Sequence, residues 1–121
     1  MAAECRIKTI VEVLGLGQEL GFSTNFVTAT PTLAVYNYDS ADITTEQALD
    51  MSDIGTVEFI IIKNLDDTNR VDIDCNYTDV TFRASNKIDA GKTAIFKPAG
   101  DVYALADTGA CLVEYIVIGT A

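Results

Sequence analysis

Short runs of β-branched and aromatic residues, each ended by a turn signal, constrain the fold of this chain more than any other feature. In residues 6–14, apolar side chains and threonine fall at every second position, as on a half-buried β-strand. Similar runs recur, and the predicted strands are residues 6–14, 22–28, 33–38, 56–63, 70–75, 80–84, 93–97, 102–106 and 112–118. Segments rich in Gly, Pro, Asn and Asp separate them, which is typical of tight turns.

Eight or nine short strands with almost no helical periodicity predict an all-β chain, folded as an antiparallel sandwich or barrel. The 121 residues fit one compact domain, so we predict a single domain over residues 1–121. Residues 39–53 are the least strand-like segment and are predicted to form a loop or a short helical turn. The first 50 residues either complete the sandwich or form an N-terminal arm that reaches a neighbouring subunit.

Composition excludes several classes of function. Histidine is absent, which removes Ser-His-Asp and Cys-His mechanisms and His-ligated metal sites. The formal net charge is −10, from 8 Lys and Arg against 18 Asp and Glu, so nucleic acids and anionic membrane surfaces are poor partners. Residues 1–10 alternate charged with apolar side chains, so we expect no signal peptide. Cys5, Cys75 and Cys111 are widely spaced, which predicts reduced thiols rather than a metal or disulfide framework.

Two partial motifs suggest ligands, and neither is complete. Asp72, Asp74 and Asn76 have the spacing that opens an EF-hand loop, but Tyr77 replaces the required glycine and Arg83 the bidentate glutamate. We therefore predict a solvated strand face without a metal ion. Residues 15–21 approach the dinucleotide-binding glycine pattern, but the third glycine is one place late and no helix follows, so a turn without a cofactor is expected. No pair of carboxylates is singled out for hydrolysis, and we predict no catalytic residues.

Aromatic side chains offer one further kind of site. Tyr36, Tyr38 and Tyr77 could form a platform for a glycan if they were exposed together in a concave patch. Most of the tyrosines and phenylalanines occupy alternating strand positions, however, and core packing is the favoured interpretation.

Three stretches of the second half carry a family resemblance. They read V-E-F-I-I-I-K-N-L-D-D-T-N-R-V-D-I from Val57, F-R-A-S-N-K-I-D-A-G-K-T-A-I-F-K-P from Phe82 and V-Y-A-L-A-D-T-G-A-C-L-V-E-Y-I-V-I from Val102. This pattern resembles a broad group of small bacteriophage virion proteins. They share an apolar strand ending in N-L-D-x-T-N and a closing A-D-x-x-A…E-Y-x-I-I strand. Arg70 departs from the pattern, since an apolar or aromatic residue is common at that position.

The shared residues make sense as parts of a scaffold. Four polar side chains are predicted to bond nearby backbone and hold a tight connection: Asn64, Asp66, Thr68 and Asn69. Gly91 is predicted to supply the positive φ of a turn. Three alanines are predicted to keep a crowded place small: Ala104, Ala106 and Ala110.

The resemblance implies a structural part of a phage head or tail, with a jelly-roll-like sandwich. Within that group we favour a capsid decoration (cement) protein, because the chain has one compact domain, no stalk and no catalytic set. Such a protein would be made in the host cytoplasm, reside in the virion and bind the major capsid protein or another virion protein. It would stabilise the assembled shell by mass action. A tail or fibre component and a glycan-binding module for host attachment are the alternatives.

Two predicted strands are apolar on both faces, which predicts self-association. In residues 57–62 and 112–118, apolar side chains occupy odd and even positions alike. A sandwich sheet normally buries one face only, so the second needs a cover, either another part of the chain or a neighbouring subunit. We expect a homo-oligomer, with a trimer favoured because decoration proteins often occupy threefold positions on shells. The side chains predicted to form its interface are Ile60, Ile62, Val113, Tyr115 and Val117.

Overall fold

A computed structural model describes residues 4–15, 17, 20–27 and 31–121, and this part of the chain is all-β. The predicted fold class is confirmed. The described residues form ten strands: β1 (Arg6–Val13), β2 (Leu20–Val27), β3 (Leu33–Ala41), β4 (Gln47–Ala48), β5 (Thr56–Asn64), β6 (Val71–Asp74), β7 (Asn86–Ile88), β8 (Thr93–Phe96), β9 (Tyr103–Ala106) and β10 (Cys111–Thr120).

The chain divides into two compact units, and the first, Met1–Thr32, is an antiparallel hairpin of β1 and β2. Its register runs from Arg6 opposite Val27 to Val13 opposite Leu20. Gly15 and Gly17 have φ values of 84° and 89°, which suits the turn that was predicted there. The other residues of the partial glycine motif at positions 16, 18 and 19 lie outside the described part.

The second unit, Leu33–Ala121, is a β-sandwich of two four-stranded antiparallel sheets. Sheet I has the strand order β3-β10-β5-β8, and sheet II has the order β4-β9-β6-β7. Successive strands pass from one sheet to the other except at β6–β7, and this is the strand order of a jelly roll. The predicted antiparallel sandwich is therefore confirmed for Leu33–Ala121, while a single domain reaching residue 1 stays a prediction.

Two segments differ from the expected secondary structure. Residues 80–84 were predicted to be a strand, but Asp79 and Val80 have φ values of 56° and 51°, and the strand here is β7 at Asn86–Ile88. Positive φ at two successive residues produces a tight turn, which ends any extended run. Residues 39–53 contain the end of β3 and the two-residue β4, and no helical turn.

The core lies between the two sheets of the second unit. Sheet I contributes, among others, five large apolar side chains at most 1% exposed: Ile60, Ile62, Val113, Tyr115 and Val117. These are the residues predicted to form a subunit interface, and that assignment is corrected, because they pack against sheet II inside their own chain. Strand alternation reveals that a sheet is apolar on both faces, but it does not reveal which face meets the second sheet.

Small residues allow the sheets and strands to approach closely. Ala104 and Ala106 are at most 2% exposed, as predicted for a crowded place, whereas Ala110 is exposed. Gly119 lies at a β-bulge where Glu58 is the extra residue, since Ile118 pairs with Phe59 and Gly119 with Val57. A Cβ atom at Gly119 would lie 1.9 Å from the Thr56 carbonyl oxygen, so only glycine fits.

A fully buried amide joins three segments at one end of the sandwich. The side chain of Asn64 donates to the carbonyl oxygens of Asn69, at 2.8 Å, and Ile88, at 3.0 Å. Its Oδ1 accepts from the Asp66 backbone N–H at 2.9 Å. The Asn64 backbone bonds to Lys92 and Gly91 as well. Asn64 therefore holds the end of β5, the 65–70 loop, the end of β7 and the 89–92 turn together.

The remaining polar residues of the N-L-D-x-T-N stretch brace the same loop. Asp66 Oδ2 accepts from the backbone N–H groups of Thr68, at 2.9 Å, and Asn69, at 2.6 Å. These bonds lower the pKa of Asp66 below its ordinary value. The Asn69 side chain accepts from the Thr108 hydroxyl at 3.0 Å. Gly91 has a φ of 74°. The predicted bonds to backbone are confirmed for the side chains of Asn64 and Asp66, and the positive φ is confirmed for Gly91, whereas the side chains of Thr68 and Asn69 bond to other side chains.

We predict that Asn64→Ala lowers the free energy of unfolding by on the order of 3 kcal/mol, because it removes three side-chain hydrogen bonds from a buried site. Urea denaturation followed by circular dichroism measures this loss. Asn37→Ala is the matched control, since the Asn37 amide makes only long contacts of 3.3 and 3.4 Å near the surface. A similar small loss in both variants would contradict the role assigned to Asn64.

Candidate functional site

The surface of sheet I that faces away from sheet II is apolar across all four strands. Ile116 on β10 pairs with Tyr36 on β3 and with Ile61 on β5, and Ile61 pairs with Ile95 on β8. These four side chains form one row, which we call the apolar row. Tyr38 lies in the neighbouring row and Leu112 one row further along β10, and we call the six residues together the outer face.

Most of the outer face is open to solvent. Tyr36 is 56% exposed, Tyr38 64%, Ile95 47%, Leu112 45% and Ile116 40%. Single exposed apolar residues are ordinary, but a contiguous apolar surface marks a place where a partner binds. The register of the strands makes the apolar row contiguous, so the outer face that contains this row is the candidate functional site.

A polar row borders the apolar row. Glu114 pairs across the sheet with Tyr38 and Lys63, and Lys63 with Thr93. The Tyr36 hydroxyl donates a hydrogen bond to the Glu114 carboxylate, which raises the pKa of Tyr36. One side of the apolar row is thus bordered by a charge of each sign, from Glu114 and Lys63.

The outer face is too shallow to enclose a small molecule. Its depression, lined by side chains of both rows such as Tyr36 and Ile61, has a volume of about 160 Å³. Small-molecule sites in proteins usually measure roughly 300–1,000 Å³. The shape therefore favours contact with the surface of another protein.

The structure separates the three tyrosines that were considered as a glycan platform. Tyr36 and Tyr38 are neighbours on β3, with ring centroids 6.4 Å apart, and their predicted core packing is wrong. Tyr77 instead stacks on Tyr103 of sheet II at a centroid distance of 3.7 Å. Tyr115 is buried, as core packing requires.

Two tyrosine hydroxyls join distant segments. Tyr115 donates to Asp39 Oδ2 at 2.7 Å and accepts from the Asp50 backbone N–H at 2.8 Å. Burial and the Asp39 carboxylate raise the pKa of Tyr115 well above its ordinary value. Tyr77 donates to Glu46 Oε1 at 2.7 Å, and this bond raises the pKa of Tyr77 to about 12 and lowers that of Glu46. Both contacts hold loops in place.

The acidic motif is part of the scaffold. Asp72 accepts from Arg70 at 2.9 Å, and Arg70 also pairs with Asp107 at 3.1 Å. Asp74 is only 3% exposed, so the predicted solvated face is wrong for this residue. Its two carboxylate oxygens accept from the backbone N–H groups of Asn76 and Arg83. In the part of the chain that the structure describes, no group of three or more Cys, Asp or Glu side chains is placed to hold a metal ion.

The remaining findings concern the cysteines, membrane-spanning helices and similarity to known proteins. Cys5, Cys75 and Cys111 are free cysteines, and Cys111 is fully buried. No helix among residues 4–15, 17, 20–27 and 31–121 has the length and hydropathy needed to cross a bilayer. Comparisons with protein-family models, curated proteins and solved structures found no match to this chain.

The sequence pattern indicated that β5 and β10 are apolar on both faces, but the interface was predicted on the face that is buried against sheet II. Alternation in β5 and β10 separated Ile61 and Ile116 from Ile60 and Val117. The alternation of Tyr36 and Tyr38 with Val35 and Asn37 continues the exposed side of this pattern onto β3. Only pairing of all three strands places these tyrosines beside Ile116.

We predict that the chain loses stability as the pH rises from about 10 to about 12, and that Tyr77→Phe reduces this loss. Unfolded Tyr77 releases its proton near its ordinary pKa of 10.0, while folded Tyr77 keeps it until about 12, so alkali favours the unfolded chain over this interval. Thermal unfolding across this pH range measures the slope.

Tyr38→Phe is the control, because no described residue pairs with the Tyr38 hydroxyl, and its slope should match that of the unmodified chain. Equal slopes for all three proteins would contradict the contribution of Tyr77.

Proposed function

We propose that this protein is a structural component of a bacteriophage particle, and specifically a decoration protein that binds and stabilises the assembled head. The observation that carries this proposal is a jelly-roll sandwich whose sheet I presents a contiguous, exposed apolar face. Jelly rolls recur in viral capsid proteins. An apolar face of this kind suits a protein whose work is to bind other proteins.

The residues that carry the resemblance to phage virion proteins support the proposal because they stabilise the fold. Asn64, Asp66 and Asn69 hold loops at one end of the sandwich, and Ala104 and Ala106 fill its core. These are positions that determine a fold, so a chain that retains them is expected to retain the jelly roll of such proteins. The exposed residues then determine which partner the protein binds.

The outer face is the surface by which we propose that copies associate, with a trimer favoured. Its border carries Lys63 and Glu114, so a second copy can meet each charge with the opposite one. This local balance matters in a chain of net charge −10, where most other surfaces repel a second copy. Covering the exposed part of the apolar row would contribute on the order of 5 kcal/mol per subunit before the costs of association. The major capsid protein is the proposed partner of the assembled trimer.

The location of the protein in the particle tests the proposal. Cryo-electron microscopy of virions, compared with virions from which the gene is deleted, is expected to reveal difference density on the outer surface of the head. Heads without the protein should release their DNA at a lower temperature, because they lose a ligand that binds only the assembled shell. Density on the tail would replace the decoration role with that of a tail or fibre component, and absence from virions would overturn the proposal.

We predict that Ile116→Lys converts the oligomer to monomers, because it places a charge in the middle of the apolar row. Sedimentation velocity at micromolar concentration measures the change. Ile43→Lys is the matched control, since Ile43 is 46% exposed, close to the 40% of Ile116, and lies outside the outer face. A monomeric unmodified protein, or equal behaviour of the two variants, would contradict self-association through this face.

Glycan binding is the second candidate function, and the exposed pair of Tyr36 and Tyr38 is the observation that favours it. Aromatic rings that present an open face can stack on sugars. The candidate predicts binding on a glycan array that Tyr38→Ala abolishes. An array without any binder would dismiss it and leave the outer face to proteins.

A further inference from the structure

A cavity of about 440 Å³ lies at another part of the sandwich, beside the strands β7 and β8. It is lined by the end of β6, the 75–85 loop, β7 and the residues that follow β8. This volume falls within the range of roughly 300–1,000 Å³ that is common for small-molecule sites. The residues on which the argument depends are Asn76, Thr78, Arg83, Asn86, Phe96 and Lys97.

The charge of this cavity is opposite to that of the chain. Arg83 and Lys97 both line it, although Lys and Arg number only 8 against 18 acidic residues. The Lys97 side chain is 61% exposed, and its ammonium lies 3.3 Å from the Glu58 carboxylate. No residue of the described chain forms a hydrogen bond or ion pair with the Arg83 guanidinium, although arginine side chains offer five donors. An unpaired guanidinium at the edge of a cavity can hold an anionic group with two parallel bonds.

The buried carboxylate of Asp74 fixes the backbone from which Arg83 projects. Its Oδ1 accepts from the Asn76 N–H at 2.9 Å and its Oδ2 from the Arg83 N–H at 2.8 Å. Both oxygens are thereby occupied by donors, and the side chain is 3% exposed. Asp74 therefore positions the backbone of Arg83, and the cavity lining carries two positive groups, Arg83 and Lys97, against this one carboxylate.

The other lining groups suit a ligand with hydroxyl groups and one apolar surface. Phe96 is half-buried and offers part of its ring to the cavity. Asn76, Thr78 and Asn86 supply amide and hydroxyl groups at the walls. The Asn86 amide donates to Cys75 Sγ at 3.2 Å, which leaves its carbonyl oxygen available as an acceptor. Sugars are recognised by this combination of an aromatic ring and convergent polar groups.

We propose that this cavity binds an acidic sugar residue, a uronic or sialic acid, with its carboxylate held by Arg83. The guanidinium provides the bidentate contact, Lys97 adds attraction, and Phe96 packs against the apolar face of the sugar ring. The site lies outside the outer face, so the inference does not depend on the proposed association of subunits or on the role in the head.

Titration of the full-length, ¹⁵N-labelled chain with glucuronate and with N-acetylneuraminate, followed by NMR, tests the site. We expect saturable shifts of the Arg83 Nε–H and of the Asn76 and Asn86 side-chain amides, with millimolar affinity. Glucose should cause no such shifts, since it has no carboxylate. Acetate, which has no ring, should bind more weakly than either acidic sugar. Absence of saturable shifts, or equal binding of glucose, would overturn the proposal.

Arg83→Gln is expected to weaken binding by about tenfold, because it removes the charge-assisted pair. Lys87→Gln removes the same charge from an exposed position on β7 outside the cavity and should change the affinity by less than about twofold. Arg83→Lys keeps the positive charge but loses the bidentate guanidinium, so its affinity should lie between those of the unmodified chain and Arg83→Gln. Tighter binding of inorganic phosphate than of both sugars would reassign the site to phosphate and overturn the acidic-sugar class.

Discussion

The buried amide of Asn64 is the interaction on which the order of the sandwich end depends. It sits at the last position of β5, and its three side-chain hydrogen bonds reach the 65–70 loop and the end of β7. A polar group in the interior is stabilising only when its bonds are complete, so these segments must take one arrangement together. The Asn64 amide therefore fixes how β5 of sheet I is placed relative to β7 of sheet II.

Sheet I depends in turn on β10, which lies between β3 and β5. The register of these three strands decides that Ile116 meets Tyr36 and Ile61 on one side, while Val117 faces the core on the other. A shift of one residue would exchange the two sides, because strand side chains alternate. The bulge at Gly119 shifts the alternation of side chains near the end of the sheet. The outer face therefore ends there because of the backbone geometry, as well as because of the polar side chains around it.

The negative charge of the chain is organised by local contacts. Asp66 and Asp74 accept backbone N–H groups, Asp39 accepts from Tyr115, and Glu46 accepts from Tyr77. These carboxylates act as fixed acceptors that hold loops, which is why an acidic chain can remain compact. Arg83 has no ion pair in the described chain, and unlike an isolated surface cation it lines a cavity, which is why it is informative about a ligand.

The sequence by itself determined the strand content, most of the turns and the two-faced character of β5 and β10, because these follow from side-chain period and local turn chemistry. It also placed Asn64 and Asp66 correctly as loop-holding residues, since several of their partners lie within five positions in the chain. Tertiary structure alone decided which face of sheet I is buried. It also brought Tyr36 beside Ile116 and made Asp74 a support for Arg83. The first two depend on the pairing of segments far apart in the chain, and the third on how the 75–85 loop folds back on β6, neither of which alternation within one strand encodes.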